Sequence, residues 1–174
     1  MMMAHLSSEQ AGDNDLAKVE SLVGEIIQHG GFALRFAIRR CEAAGQGVEA
    51  AGTVVDFEGA DSDLLLEKNA ALLDALEYVV LKAVRPDEDA LGKIIFDCKG
   101  WRRVRAEELR LTASMAARQV IETGSPFSLN PMNPRERRIV HLALKDEAAV
   151  RTLSEGSGER RKVVILPAAP PSAS

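Results

Sequence analysis

The sequence predicts an α+β protein in which an α-β-β-α-α-β unit is joined by a long helix to a small α/β module. Apolar residues recur at helical spacing, alternate in twos, and then return to helical spacing along the first part of the chain. Glycine and proline signals fall between those segments. Charge also divides the chain: residues 1–99 carry 9 Lys+Arg against 18 Asp+Glu, while residues 100–174 carry 13 against 8. The overall charge of −4 therefore averages an acidic part and a basic part.

Taken in order, residues 1–14 read as a polar, flexible start. Over 16–28, Leu16, Val19, Leu22, Val23, Ile26 and Ile27 share one helical face, and Gly30 and Gly31 end the run. Over 32–40, Phe32, Leu34, Phe36 and Ile38 alternate toward one side. A second strand over 51–57 follows the Gly45-Gln46-Gly47 turn signal, giving an antiparallel hairpin. Leu65, Leu66, Leu72, Leu73, Leu76, Val79, Val80 and Ala83 predict a helix pair over 63–84, broken near 68–70 and stopped by Arg85-Pro86. Residues 94–98 form a short β-prone apolar run, and 105–123 predicts a long helix ended by Gly124-Ser125-Pro126.

The segment 132–141 carries the chemistry. Asn133 can cap a helix, Pro134 suits its first turn, and Glu136 completes a capping box. Arg137 and His141 then lie one turn apart on one face, with Arg138 and Lys145 on the adjoining stripe; Ile139, Val140, Ala143 and Leu144 form the apolar side. A guanidinium fork beside an imidazole donor suits a phosphate. Arg160, Arg161 and Lys162 border the apolar run 163–166 and can add phosphate contacts or serve as a charged strand edge. Without that context, Arg137 could bridge to Glu136 or Glu155 and His141 could bond to a backbone carbonyl. The hydroxyl of Ser154, beside Glu155 and Gly156, suits a turn. Trp101, Arg102, Arg103 and Arg105 form a basic-aromatic cluster that suits either base stacking or packing.

Arg137-Arg138-Ile139-Val140-His141, together with Leu153-Ser154-Glu155-Gly156 and Arg160-Arg161-Lys162-Val163-Val164-Ile165, resembles the Arg-x-x-x-His or R-three-H domain. That resemblance implies a small α/β module binding single-stranded nucleic acid through Arg137 and His141. The upstream order resembles a type II KH domain, notably Glu58-Gly59-Ala60-Asp61, Leu73-Asp74-Ala75-Leu76-Glu77-Tyr78 and Phe96-Asp97-Cys98-Lys99-Gly100-Trp101-Arg102. KH, long helix and R-three-H module in this register resemble the bacterial Jag family of SpoIIIJ-associated proteins, also called KhpB. The expected organisation is a flexible start at 1–14, a KH-like domain at 15–104, a linking helix at 105–124, an R-three-H domain at 125–167 and a disordered tail at 168–174.

One departure from the pattern bears on function. The KH loop expects Gly-x-x-Gly, which lets backbone N–H groups approach a polynucleotide closely. Here the matching residues are Glu67, Lys68, Asn69 and Ala70, so a carboxylate and a Cβ stand where glycines are expected. This predicts a weakened KH surface and shifts binding to the C-terminal module.

The resemblance implies single-stranded RNA, or DNA, as the partner and a post-transcriptional or cell-envelope role. The alternative is an interaction module pairing with itself or another KH protein. With 46% apolar residues the chain can bury a core, and no apolar run approaches the roughly 20 residues that span a bilayer, so the expectation is a cytoplasmic protein without membrane insertion. Cys41 and Cys98 lack metal-ligand or redox spacing, only His5, His29 and His141 are available, and no phosphate-cradling glycine motif or nucleophile-base pattern occurs. Hence no metal, cofactor or catalytic residue is expected.

Overall fold

The computed structural model describes residues 2–40, 52–85 and 94–168, with side chains described from residue 14. The chain divides into two compact units at Arg102/Arg103. In the first, helix α1 (Met2–Gly30) precedes strands β1 (Leu34–Arg40) and β2 (Thr53–Gly59), the bent helix α2 (Ser62–Val84) and strand β3 (Ile94–Cys98). The expected flexible start is helical from Met2. Its Met, Ala, Leu, Glu and Gln residues are good helix formers, and they extend a helix already nucleated by the docked turns that follow.

In α1, Val19 and Val23 are fully buried, with Leu16, Leu22, Ile26 and Ile27 packed beside them. Gly31, at φ 68°, takes the left-handed position after the helix. β1 pairs antiparallel with β2, and β2 pairs parallel with β3, so β2 is the central strand. Phe36, Phe57 and Phe96 form a row across the inner face, with ring centroids 6.0 and 5.4 Å apart. The turn expected at Gly45-Gln46-Gly47 lies outside the described residues, as does Cys41; Cys98 is buried in this core.

The helix pair expected over 63–84 is present as α2, with its break at Glu67–Ala70. Arg102 joins this helix to β3. Its Nη1 donates to Asp74 Oδ1 at 2.6 Å, its Nη2 to Glu77 Oε2 at 3.3 Å and its Nε to the Phe96 carbonyl at 2.9 Å. Glu77 also accepts from the Phe96 N–H at 2.8 Å. This guanidinium is 6% exposed and fully occupied by the fold, so it is not a secondary nucleic-acid contact. Trp101 packs against the same core.

Helix α3 (Trp101–Thr123) begins four residues before the expected 105 because Asp97 Oδ1 accepts from the Arg102 N–H at 3.1 Å. From Arg103 onward it belongs to the second unit. Leu109, Ala113, Ala116, Ala117 and Val120 follow helical spacing and bury against Val140, Val163 and Ile165. The segment expected only to link two modules therefore supplies one wall of a core, and its alanines let the remaining elements approach closely.

Strand β4 (Phe127–Ser128), helix α4 (Pro134–Ala143), strand β5 (Val150–Glu155), a 3-10 turn (Gly158–Arg160) and strand β6 (Lys162–Pro167) complete this unit. Its antiparallel sheet has the order β4-β6-β5, leaving β5 at one edge. Full burial of Val163 and Ile165 stabilises the unit by about 1.5–3 kcal/mol each. The tail expected from 168 begins with Ala168, whose N–H donates to the Ala149 carbonyl at 2.9 Å; 169–174 lie outside the described residues. No described helix is long and apolar enough to cross a membrane.

Candidate nucleic-acid interface

α4 forms as its local sequence predicts. Asn133 Oδ1 accepts from the Glu136 N–H at 2.9 Å, Glu136 Oε2 accepts from the Asn133 N–H at 3.1 Å, and Pro134 occupies the first turn. Glu136 has a second role that its sequence position does not reveal. It is 5% exposed and receives Arg105 Nε at 2.7 Å, so the cap is also an ion pair to α3. Val140 and Leu144 bury one and two turns farther along. Ala143, expected on the apolar side, is exposed.

With that stripe buried, Arg137 and His141 lie half-buried against β5. Alternation puts Val150, Thr152 and Ser154 on the α4 side of the strand. His141 Nδ1 lies 2.6 Å from Thr152 Oγ1, and His141 Nε2 lies 2.9 Å from Ser154 Oγ. Arg137 Nη1 donates to the same Ser154 oxygen at 3.4 Å. The helix pair thus becomes a four-residue cluster. Its two hydroxyls are not evident from the sequence, where Ser154 suits a turn. The detectable signal is the two-residue spacing of Thr152 and Ser154 in a short strand.

The electrostatics of the cluster are asymmetric. Burial lowers the His141 pKa below the usual imidazole value, and the Arg137 charge lowers it further, so the ring is neutral at physiological pH. Neither Glu136 nor Glu155 pairs with Arg137, which has no carboxylate partner among the described residues. Its Nε is buried without a hydrogen-bond partner. A guanidinium so placed carries a charge that no carboxylate among the described residues balances, and an anion meeting its exposed part would do so.

The other expected contacts separate. Arg138 and Lys145 are exposed on and just after α4. Arg160 and Arg161 are exposed at the turn before β6, which is held near the start of α4 by a 3.1 Å bond from the Met132 N–H to the Arg161 carbonyl. Lys162 is opposite Glu155, while Val163 is opposite Ser154; alternation therefore sends Lys162 to the other face of the sheet, away from Arg137. Arg103 and Arg105 pair with Glu107 and with Glu136 and Glu108, respectively.

The loop Glu67–Ala70 of the first unit has its own geometry. Lys68, Asn69 and Ala70 have φ of 49°, 64° and 59°, a left-handed run without glycine. Glu67, Lys68 and Asn69 are exposed, but Ala70 is 0% exposed within the core. The Ala70 methyl, expected to obstruct a polynucleotide, instead fills the interior. The carboxylate of Glu67 remains at the surface. Tyr78, on the second arm of α2, is 65% exposed. No cluster of potential metal ligands occurs among the described residues.

A model of the R-three-H domain family matches residues 107–167. The chain is similar to the RNA-binding protein KhpB of Clostridium symbiosum, at 36% identity over 111 residues covering 64% of this chain and 50% of that protein. It is also similar to the protein of that name from Bacillus subtilis, at 33% over 109 residues covering 62% of this chain and 52% of that one. The corresponding Lactiplantibacillus plantarum protein is 30% identical over 111 residues, covering 64% and 34%. The aligned part is about half or less of each relative, yet it is longer than the chain from residue 107 to the end, so the likeness reaches upstream of the R-three-H domain.

Proposed function

We propose that this chain, which is similar to the KhpB proteins and whose residues 107–167 match the R-three-H domain model, is a non-enzymatic cytoplasmic protein that binds single-stranded RNA through its second unit. Arg137 supplies the principal phosphate contact. His141 belongs to the same site, and Arg138, Lys145, Arg160 and Arg161 extend it with exposed charge. The carrying observation is the half-buried Arg137 guanidinium, which has no carboxylate partner among the described residues. Burying a cation without a counter-charge is costly, and a phosphate oxygen removes that cost.

The first unit is proposed as a KH-like scaffold with little affinity of its own, because Glu67 presents a carboxylate where a phosphate would approach. A post-transcriptional or cell-envelope regulatory role is what the resemblance to the Jag family implies. Titrating wild type and Arg137→Ala with a fluorescent single-stranded RNA across a salt series tests the reading. Arg137→Ala is expected to weaken binding and reduce the salt slope by about 0.7 for each phosphate it no longer neutralises. Equal affinity and slope for the two proteins overturn the proposal.

A second reading is pairing of the first unit with itself or with another KH protein. Leu72, Tyr78 and Val79 on the second arm of α2 are exposed and favour it. Sedimentation of the full chain checks self-association: a concentration-independent monomer excludes the homodimer.

A further inference from the structure

We propose that Ser154 directly contacts the phosphate and that His141 is a positioning residue, turning the Ser154 hydroxyl proton toward the ligand. This rests on the reading of Arg137 as a phosphate ligand and adds a donor from β5 to it.

A serine oxygen has one proton to donate and two lone pairs. One lone pair accepts Arg137 Nη1 at 3.4 Å, and the remaining capacity faces His141 Nε2 at 2.9 Å. If the imidazole proton is on Nε2, both lone pairs are filled and the Ser154 proton must point away from the cluster. Thr152 then donates to Nδ1 at 2.6 Å. If the proton is on Nδ1, Ser154 donates to Nε2 and has nothing left for a ligand, and the Thr152 proton is released instead.

An anion accepts from Ser154 only when His141 carries its proton on Nε2. Bound phosphate therefore selects that tautomer. Protonating the ring has the same effect on Ser154, because both nitrogens then donate, and adds a positive charge. Arg137 is the charged group acting on the ring. Facing it, β5 presents the hydroxyls of Thr152 and Ser154, and β6 presents Val163 and Ile165 at the paired positions. Burial, and after it the Arg137 charge, favour the neutral ring, so the tautomer controls the contact at neutral pH and ring protonation strengthens it in acid.

The test uses the full chain and a short oligouridylate, whose bases do not titrate in the range of interest. Ser154→Ala is expected to weaken binding about tenfold, the size of a hydrogen bond to a charged group. Ser154→Thr keeps the hydroxyl on a residue suited to a strand and is expected to stay within about threefold of wild type. Wild-type affinity rises as pH falls through the imidazole range; the rise disappears in His141→Ala and shrinks in Ser154→Ala. Nitrogen chemical shifts of His141 in the neutral complex should report the Nε2–H form.

Weakening by Arg137→Ala without any effect of Ser154→Ala overturns the serine contact and leaves the Arg137 reading standing. No effect of Arg137→Ala overturns both. Equal losses in Ser154→Ala and Ser154→Thr, with both proteins folded by circular dichroism, assign the loss to packing and overturn the hydroxyl role. A bound Nδ1–H ring overturns the positioning role of His141.

Discussion

The two units differ in how much of their positive charge is held by carboxylates. In the first, Arg35 pairs with Glu58, Arg39 with Asp56, Lys99 with Asp63, and Arg102 with both Asp74 and Glu77. In the second, carboxylates take the arginines at the start of α3, while Arg137, Arg138, Lys145, Arg160 and Arg161 have no such partner among the described residues. A phosphate must compete with any carboxylate already holding a cation. The difference therefore separates cations already held by a carboxylate, of which only Arg102 is buried, from cations available to a ligand, a distinction that the basic character of a segment does not make.

Breaking the comparison at its most buried pair should have the largest effect. Arg102→Ala removes the buried guanidinium that bonds Asp74, Glu77 and the Phe96 carbonyl, and is expected to cost about 3–5 kcal/mol of first-unit stability. Denaturant unfolding measures that loss, and oligouridylate affinity of the folded fraction should change little. Arg137→Ala reverses the pattern: affinity falls roughly ten- to a hundredfold, the range for hydrogen bonds to a charged group, while the unfolding midpoint moves little. Equal stability losses in these two variants would erase the distinction between the units.

Smaller effects sharpen it at the loop. Glu67→Lys removes an exposed carboxylate and should improve RNA affinity by a factor of about two to five in a low-salt titration, the scale of a surface charge contact. Ala70→Gly should be close to neutral in a thermal melt. Relieving a left-handed backbone gains about 1 kcal/mol, and deleting a fully buried methyl forfeits about 0.8 kcal/mol. A large affinity gain from that glycine would mean that the loop, rather than its charge, limits the first unit.

The smallest effect is the pH dependence of folding at His141. Its folded pKa lies below the unfolded value, so the unfolded chain takes up a proton first. The contribution to stability is therefore present above the unfolded pKa of about 6.5 and is lost as pH falls through the folded pKa. Urea titrations of wild type and His141→Gln over this range should differ in slope, with wild type losing more stability in acid.

Much of this organisation is legible in residue order. Helical spacing locates the docked face of α1, alternation locates the β1–β2 hairpin, and Asn133, Pro134 and Glu136 mark the start of α4 to the residue. The two-residue β4 is too short to show a period. The start of α3 is not legible, because Arg102 is held by Asp97, Asp74 and Glu77, whose effect on a helix boundary depends on tertiary contacts. The role of Ala70 is hidden too, since a substitution in a loop motif does not reveal which way its methyl points.

By itself the sequence determined the elements and the i, i+4 pairing of Arg137 with His141, because backbone geometry sets both locally. Tertiary structure decided which cations remain available. It assigned Arg102 and Arg105 to carboxylates 25 to 31 residues away in the chain, sent Lys162 to the far face of its sheet, and brought Thr152 and Ser154 against the imidazole. Those outcomes depend on strand pairing and helix docking, which bring together residues that no local spacing relates.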